Sequence, residues 1–344
     1  MENSTSRIII ETVVKKALRD VKDSPERSIR NLVDMALHFS NGRFQHSFFE
    51  AAQTMLQNEH SPYYGLIEDM VAHVDSERLL RFGMNLGYNG CTIGAKTIRE
   101  IEEKERYNIP WMISLYLDPQ FFAAHQQQYQ EVILQGERMG VYTWMLLSKS
   151  QPQRVLPLVQ EHPDSAFVLF CKPEEITQTF LEDVCECNNL MLAVRYEENA
   201  ADACNVLRNA ELLYSVYYRY TEDDVGCIIN GDLFCSIEQL HPLFTALIAD
   251  PDCSDTARAT VYEAVKQARN RQLFQTVTWE TDYDSSFIDG IISNESCVVS
   301  FDAAGYLLTL RERKTENCFN IMQNTLSSIL KRAFPKSNAH EIIA

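Results

Sequence analysis

The chain lacks most of the short signatures that assign an activity. It has no Gly-x-Ser-x-Gly elbow, no phosphate-binding P-loop and no Gly-x-Gly-x-x-Gly turn, so three large enzyme classes lose their usual support. No apolar run approaches the length of roughly 20 residues that crosses a bilayer, so no membrane partner is expected. The eight histidines include no His-x3-His pair, and the ten cysteines are scattered without paired spacing. Neither pattern suggests a metal site or a disulfide framework. Cys185-x-Cys187 lies in a helical run, where residues two apart point to different faces. Basic residues are also scarce, 31 against 48 acidic, for a net charge of −17. Such a chain repels phosphate backbones, and its basic runs at Lys15-Lys16 and Lys331-Arg332 are too short to oppose that, so no nucleic-acid partner is expected. The N-terminus carries "RIII" without a longer apolar stretch and cleavage site, so no signal peptide is expected. Cysteines buried in runs such as "AFVLFCK" fit reduced thiols in a cytoplasm.

What is present is enough for a large core: 344 residues, 45% apolar, with 17 Phe and 15 Tyr. The first 78 residues read as amphipathic helices. Ser24-Pro25-Glu26 and Ser61-Pro62 each place a capping serine before a proline, and Asn41-Gly42 marks a stop. From residue 80 the pattern changes. Short apolar runs begin near Arg81, Trp111, Tyr142, Ala166, Leu190 and Leu213, 23 to 31 residues apart, with helical segments between them. That interval is the size of a strand, a helix and two loops. Six such units predict a parallel sheet, either curled into a partial (β/α)6 TIM-like barrel or laid out as an open doubly wound sheet. Beyond Tyr220, "SIEQLHPLFTALI" and "SDTARATVYEAVKQARNR" read as helices, "LFQTVTWET" as a strand and "CVVSFDAAGYLLTL" as a hairpin; the tail from Glu316 to Phe334 reads as a helical stripe. The expected division is a helical cap over 1–78, a barrel-like domain over 79–235 and a helix-and-hairpin extension over 236–344.

Six βα units, the glycine-rich "GMNLGYNGCTIGAKTIRE" after the first expected strand and the later "VVSFDAAGYLL" hairpin together resemble the radical S-adenosylmethionine superfamily, over roughly residues 80 to 310. The resemblance implies a partial barrel whose first strand enters a loop carrying Cys-x3-Cys-x2-Cys. This chain has only Cys91 there, and one thiolate does not replace three in holding a [4Fe–4S] cluster. No cofactor is therefore expected, and S-adenosylmethionine enters by resemblance only.

In a βα barrel the strands' C-terminal ends carry function. In the first expected strand, Asn85 and Asn89 lie opposite Met84, Leu86 and Tyr88, and Cys91 or Thr92 follows at the start of a helix whose free N–H groups suit an anion. The glycines fit either a ligand-facing turn or a tight corner. Ser114, Tyr116 and Asp118 alternate on the next strand, with Asp118 also placed to cap the following helix. Lys149 and Lys172 end two more strands. Arg195 and Glu197 share a face of "LAVRYEE" and form either a carboxylate or phosphate clamp or a rim ion pair. Arg219 stands among four tyrosines of "YSVYYRYTEDD", which are either a ligand wall or core. His241, before Pro242, suits a cap or the core. The set supports two expectations: a cluster-free barrel binding a small molecule or a protein, or a metal-free acid/base enzyme acting on an anionic small molecule.

Overall fold

The structure, a computed structural model, describes residues 2–40 and 42–336. The expected Asn41 stop lies outside them. Helices Glu2–Val21, Pro25–Phe39, Arg43–Met55 and Pro62–His73 come first. Pro25 and Pro62 open two of them, where a missing N–H is no loss, and Ser61 Oγ accepts the Tyr63 N–H at 3.3 Å.

Seven parallel strands follow: β1 (Met112–Leu117), β2 (Thr143–Ser148), β3 (Ala166–Cys171), β4 (Leu190–Arg195), β5 (Tyr214–Tyr220), β6 (Phe244–Ala249) and β7 (Val277–Glu280). The short hairpin β8 (Val299–Phe301) and β9 (Leu307–Leu308) adds β8 parallel to the free side of β1. The order β7-β6-β5-β4-β3-β2-β1-β8-β9 is one sheet, curled into a half-barrel, and the fold is a partial TIM-like barrel with flanking helices. The hairpin and the β7 strand fall where the sequence places them.

Two elements differ from the sequence reading. The run beginning at Arg81 is no strand. Helix Ser76–Gly83, a π-helix over Met84–Gly94 and helix Ala95–Glu105 succeed one another without a break. The apparent alternation conceals a spacing of four: Leu80, Met84 and Tyr88 form one stripe, packed on Ile10, Val14 and Leu18 of the first helix. Asn85 and Asn89, also four apart, face away from it. Five of the six expected parallel strands therefore lie within residues 80 to 220. The sixth is β6, within the segment read as helical; only Asp232–Glu238 is helix there, and Pro242 follows before the strand starts. The sheet thus continues past residue 235. The tail is helical over Leu326–Ala333.

Register and burial tell the two faces of the sheet apart. Trp144, Leu146, Phe167 and Leu169 are fully buried, whereas Met145, Val168 and Met191 keep 6–8% exposure. Trp144 lies under helix Gln126–Met139, so close that a Cβ added at Gly136 would sit 2.4 Å from its ring. The first set therefore faces the helices and the second the concave side. Helix Thr281–Ser293 bridges the gap left by the open sheet. Thr281 Oγ1 donates to Leu247 O of β6 at 3.0 Å, while Asp289 and the Ser285 carbonyl accept from Trp111, just before β1.

Candidate functional site

The twelve residues singled out by sequence fall at two opposite ends of the barrel. Asn85, Asn89, Cys91 and Thr92 lie on the π-helix, which crosses the N-terminal ends of the strands as a floor. Asn85 Nδ2 donates to Pro163 O and Ser165 O at 2.8 and 2.9 Å, and Asn89 Nδ2 to Asp164 O at 2.8 Å and to Asn85 Oδ1 at 3.1 Å. These carbonyls precede β3. Along the same helix, the buried Arg78 donates to Val184 O and Cys187 O before β4. Thr92 is held by Gln45 and by Gly87 O, and burial pushes the Cys91 thiol up to about 12. The expected ligand turn is therefore part of the base of the barrel, where Gly94 serves close approach and Gly87 faces open space. A Cβ on Gly94 would lie 2.2 Å from Gly140 O, and Gly140 itself has φ +97°.

The other eight residues lie at the opposite end. Asp118 acts as the cap, accepting the N–H groups of Gln120 and Phe121 at 3.0 and 3.1 Å. Lys149 is exposed, 3.9 Å from Asp118, and Lys172 approaches Glu174 at 3.6 Å. Arg195 pairs with Glu197 at 3.2 Å at the water's edge, side chains 38% and 32% exposed. Ser114 and Tyr116 stand on the concave face of β1. The pairings Ala193–Ser215 and Arg195–Tyr217 carry that face across to β5, and Tyr217–Ala246 and Ala246–Trp279 carry it on to β7. Arg219, two residues beyond Tyr217, shares it.

The lining of the concave mouth is therefore Tyr116, Phe170, Tyr217 and Trp279 with Arg195 and Arg219. Phe170 and Tyr217 meet edge to face at 5.0 Å. Burial pushes the Tyr217 hydroxyl up to about 12 against the opposing fields of Arg219 and Arg195. Burial raises Tyr116 as well, with Arg219 pulling it down and Asp282 pushing it up. Residues from β1, β5 and the start of helix Thr281–Ser293 thus share one electrostatic neighbourhood. Arg219 is half-buried, and among the described residues it makes no ion pair and no side-chain hydrogen bond. The shielded Trp279 Nε1 is likewise without an acceptor.

Asp282 and Trp279 escaped the sequence reading. A strand running straight into "ETDYD" was the available signal, since it puts acids in the first turn of a helix at a strand's C-terminal end.

The segment after β1, Asp118 to His125, contains no cysteine. Burial raises the thiols of Cys171, Cys204, Cys253 and Cys297. Among the described residues no group of three or more His, Cys, Asp or Glu is placed to hold a metal ion. No helix there is long and apolar enough to cross a membrane.

Compared with known proteins, the chain matches no family model and no curated relative. Among solved structures it is similar to SuiB of Streptococcus suis bound to S-adenosylmethionine, with TM-score 0.47, 8% identity, and 72% of this chain and 71% of that one covered. It is also similar to anSMEcpe with bound AdoMet and a peptide, with TM-score 0.42, 9% identity and coverages of 68% and 86%. Both are radical S-adenosylmethionine enzymes. A type I 3-dehydroquinate dehydratase from Clostridium difficile matches at TM-score 0.36 and 9% identity, over 56% and 84% of the two chains. The likeness is one of coarse chain path.

Proposed function

We propose that this chain is a cluster-free barrel protein that binds an anionic small molecule at the mouth of its concave face, without redox chemistry. The observation that carries this reading is Arg219, a half-buried guanidinium with no partner, set among Tyr116 and Tyr217. A cation held away from water without a counter-charge is costly, and an anion entering beside it removes that cost. Arg195, on the neighbouring strand and only loosely engaged by Glu197, supplies a second charge-assisted donor. The aromatic lining suits a flat or apolar body. In this reading the ligand is a free organic anion, and the protein is cytoplasmic, with residues 1–78 as a cap and 236–344 as an extension. The cysteine placement supports the cluster-free part.

Titration calorimetry with 4-methylbenzoate and, separately, S-adenosylmethionine tests the binding site. The reading expects at least one to bind and Arg219→Ala to weaken it by about tenfold or more, the range of a hydrogen bond to a charged group. Binding indifferent to Arg219 refutes it. Iron and sulfide assays on anaerobically purified protein test the rest, and about four irons per chain with absorbance near 400 nm overturn the cluster-free reading.

A second reading, an acid/base enzyme, has one observation in its favour. Burial raises the Asp282 carboxyl, and Asp282 stands close enough to Tyr116 to perturb its hydroxyl. Conversion of a bound anion, lost in Asp282→Asn, would favour it.

A further inference from the structure

The charges at the mouth are sorted by strand. At their C-terminal ends β2, β3, β4 and β5 carry one cation each: Lys149, Lys172, Arg195 and Arg219. The ladder fixes where they stand. Leu147 pairs with Phe170 and Phe170 with Ala193, while Arg195 pairs with Tyr217. The edge-to-face contact of Phe170 with Tyr217 places these residues inside the curl. Two residues on from Leu147, Phe170 and Ala193, and so on the same face, Lys149, Lys172 and Arg195 form one row. Pairing persists to that level: Lys149 N donates to Leu117 O at 3.0 Å, and Lys172 keeps an extended backbone, φ −92° and ψ 156°. Arg219, two residues beyond Tyr217, continues the arc on the next strand. With neighbouring strands about 4.8 Å apart, the backbones of Lys149 and Arg195 are roughly 10 Å from each other.

In a chain with 31 basic and 48 acidic residues, four cations on four adjacent strands reverse the overall charge locally. The flanking strands β1 and β6 are followed instead by Asp118 and Asp250, whose Oδ1 atoms are engaged by the backbone N–H groups of Gln120 and Phe121 and of Asp252. The acids near the arc hold it loosely. Lys149 is 79% exposed and 3.9 Å from Asp118; Lys172 is 43% exposed and 3.6 Å from Glu174. Both separations exceed a hydrogen bond. The Arg195–Glu197 pair is reached by water. Exposed pairs of this kind contribute little to stability, so another anion can take the place of the acid. Arg219 has no ion pair to exchange among the described residues.

From this arrangement we infer that the mouth takes a small molecule with two anionic groups, one held by Arg219 and Arg195 and the other by Lys172 and Lys149. The inference rests on the anion-site reading of Arg219 and names the ligand class that site selects.

Terephthalate and 4-methylbenzoate share one ring and differ in the second carboxylate. On the intact protein in low salt, calorimetry is expected to show terephthalate binding at least about tenfold more tightly, a difference of roughly 1.4 kcal/mol. The double variant Lys149→Gln, Lys172→Gln changes two solvent-reached side chains and should fold as the parent chain does. It should bring the ratio close to one, the loss falling on terephthalate. Arg219→Ala should weaken both acids. Equal affinity of the two acids for the intact protein overturns the inference and leaves the anion site standing; this comparison needs no variant to fold. A preference for terephthalate that survives loss of both lysines also overturns it. If neither acid binds, the anion site itself fails and the inference with it.

Discussion

The two ends of the barrel treat polar groups in opposite ways. At the floor, three long polar side chains are matched to the backbone: Asn85 and Asn89 to the carbonyls of 163–165, Arg78 to those before β4. At the mouth, Arg219 and Trp279 Nε1 lie partly or wholly out of water with no such match. Interior polar groups in folded chains are nearly always satisfied. Those three side chains obey that rule and so read as architecture, while Asn108 Oδ1 and Thr143 Oγ1 at the same end lack a partner. Arg219 and Trp279 Nε1 at the mouth depart from it. The same residue types, amide and guanidinium, serve the fold at one end and are left for a ligand at the other.

The largest effect that would sharpen this contrast lies at the floor. Gly94→Ala places a Cβ against the Gly140 carbonyl, a backbone atom that cannot swing aside, at a second glycine with φ +97°. Urea denaturation should show a loss of about 3 kcal/mol or more, at the upper end for overpacking. A loss below about 1 kcal/mol would mean that the floor is loosely packed.

Next in size is Glu280, fully buried behind the mouth on the helix-covered side of β7. It accepts from Tyr220 OH at 3.2 Å and Tyr283 N at 2.8 Å. Burial, aided by Asp282 and Asp284, lifts its carboxyl from 4.5 to about 7. The folded chain therefore holds a proton that the unfolded chain releases. That stability is fully present below pH 4.5 and is lost as pH rises to about 7, a change of about 3 kcal/mol. Glu280→Gln should flatten this dependence. An unchanged pH profile of the denaturation midpoint would refute the assignment.

Asn85→Ala leaves Pro163 O without its side-chain donor, reduces Ser165 O to the Asn189 Nδ2 bond and removes an acceptor of Asn89 Nδ2. A loss of about 2 kcal/mol is expected in the same assay, from buried acceptors left unsatisfied. Arg195→Ala, by contrast, breaks a rim pair that water reaches and should cost about 0–1 kcal/mol. If Arg195 proved the costlier of the two, the floor and the mouth would exchange roles.

Much of the barrel was legible because short continuous apolar runs such as "AFVLFC" and "LMLAVR" are buried on both faces and are too short for a helix of adequate length. β6 was missed because "PLFTALI" is equally apolar on every face, so periodicity could not separate strand from helix. The segment 84–94 misled for a different reason. In a π-helix the hydrogen bonds span five residues and the turn widens, and its glycines and asparagines are those of a strand-end loop. That one error carried Asn85, Asn89, Cys91 and Thr92 to the wrong end of the barrel. Asp118 as a cap and Arg195–Glu197 as a rim pair are both readings that the sequence pattern allows. Arg219 was named, but its lack of a partner is a property of five strands at once. Asp282 depends on how helix Thr281–Ser293 closes the open sheet, which no local pattern encodes.

The most direct test of the contrast between floor and mouth is the stability of Arg219→Ala, measured by urea denaturation without ligand. A side chain kept for a ligand contributes nothing to the empty fold, so the variant should match the parent chain within about 1 kcal/mol or exceed it. A loss of about 3–5 kcal/mol, the cost of breaking a buried charge pair, would show that Arg219 is bound into the structure and would contradict the account.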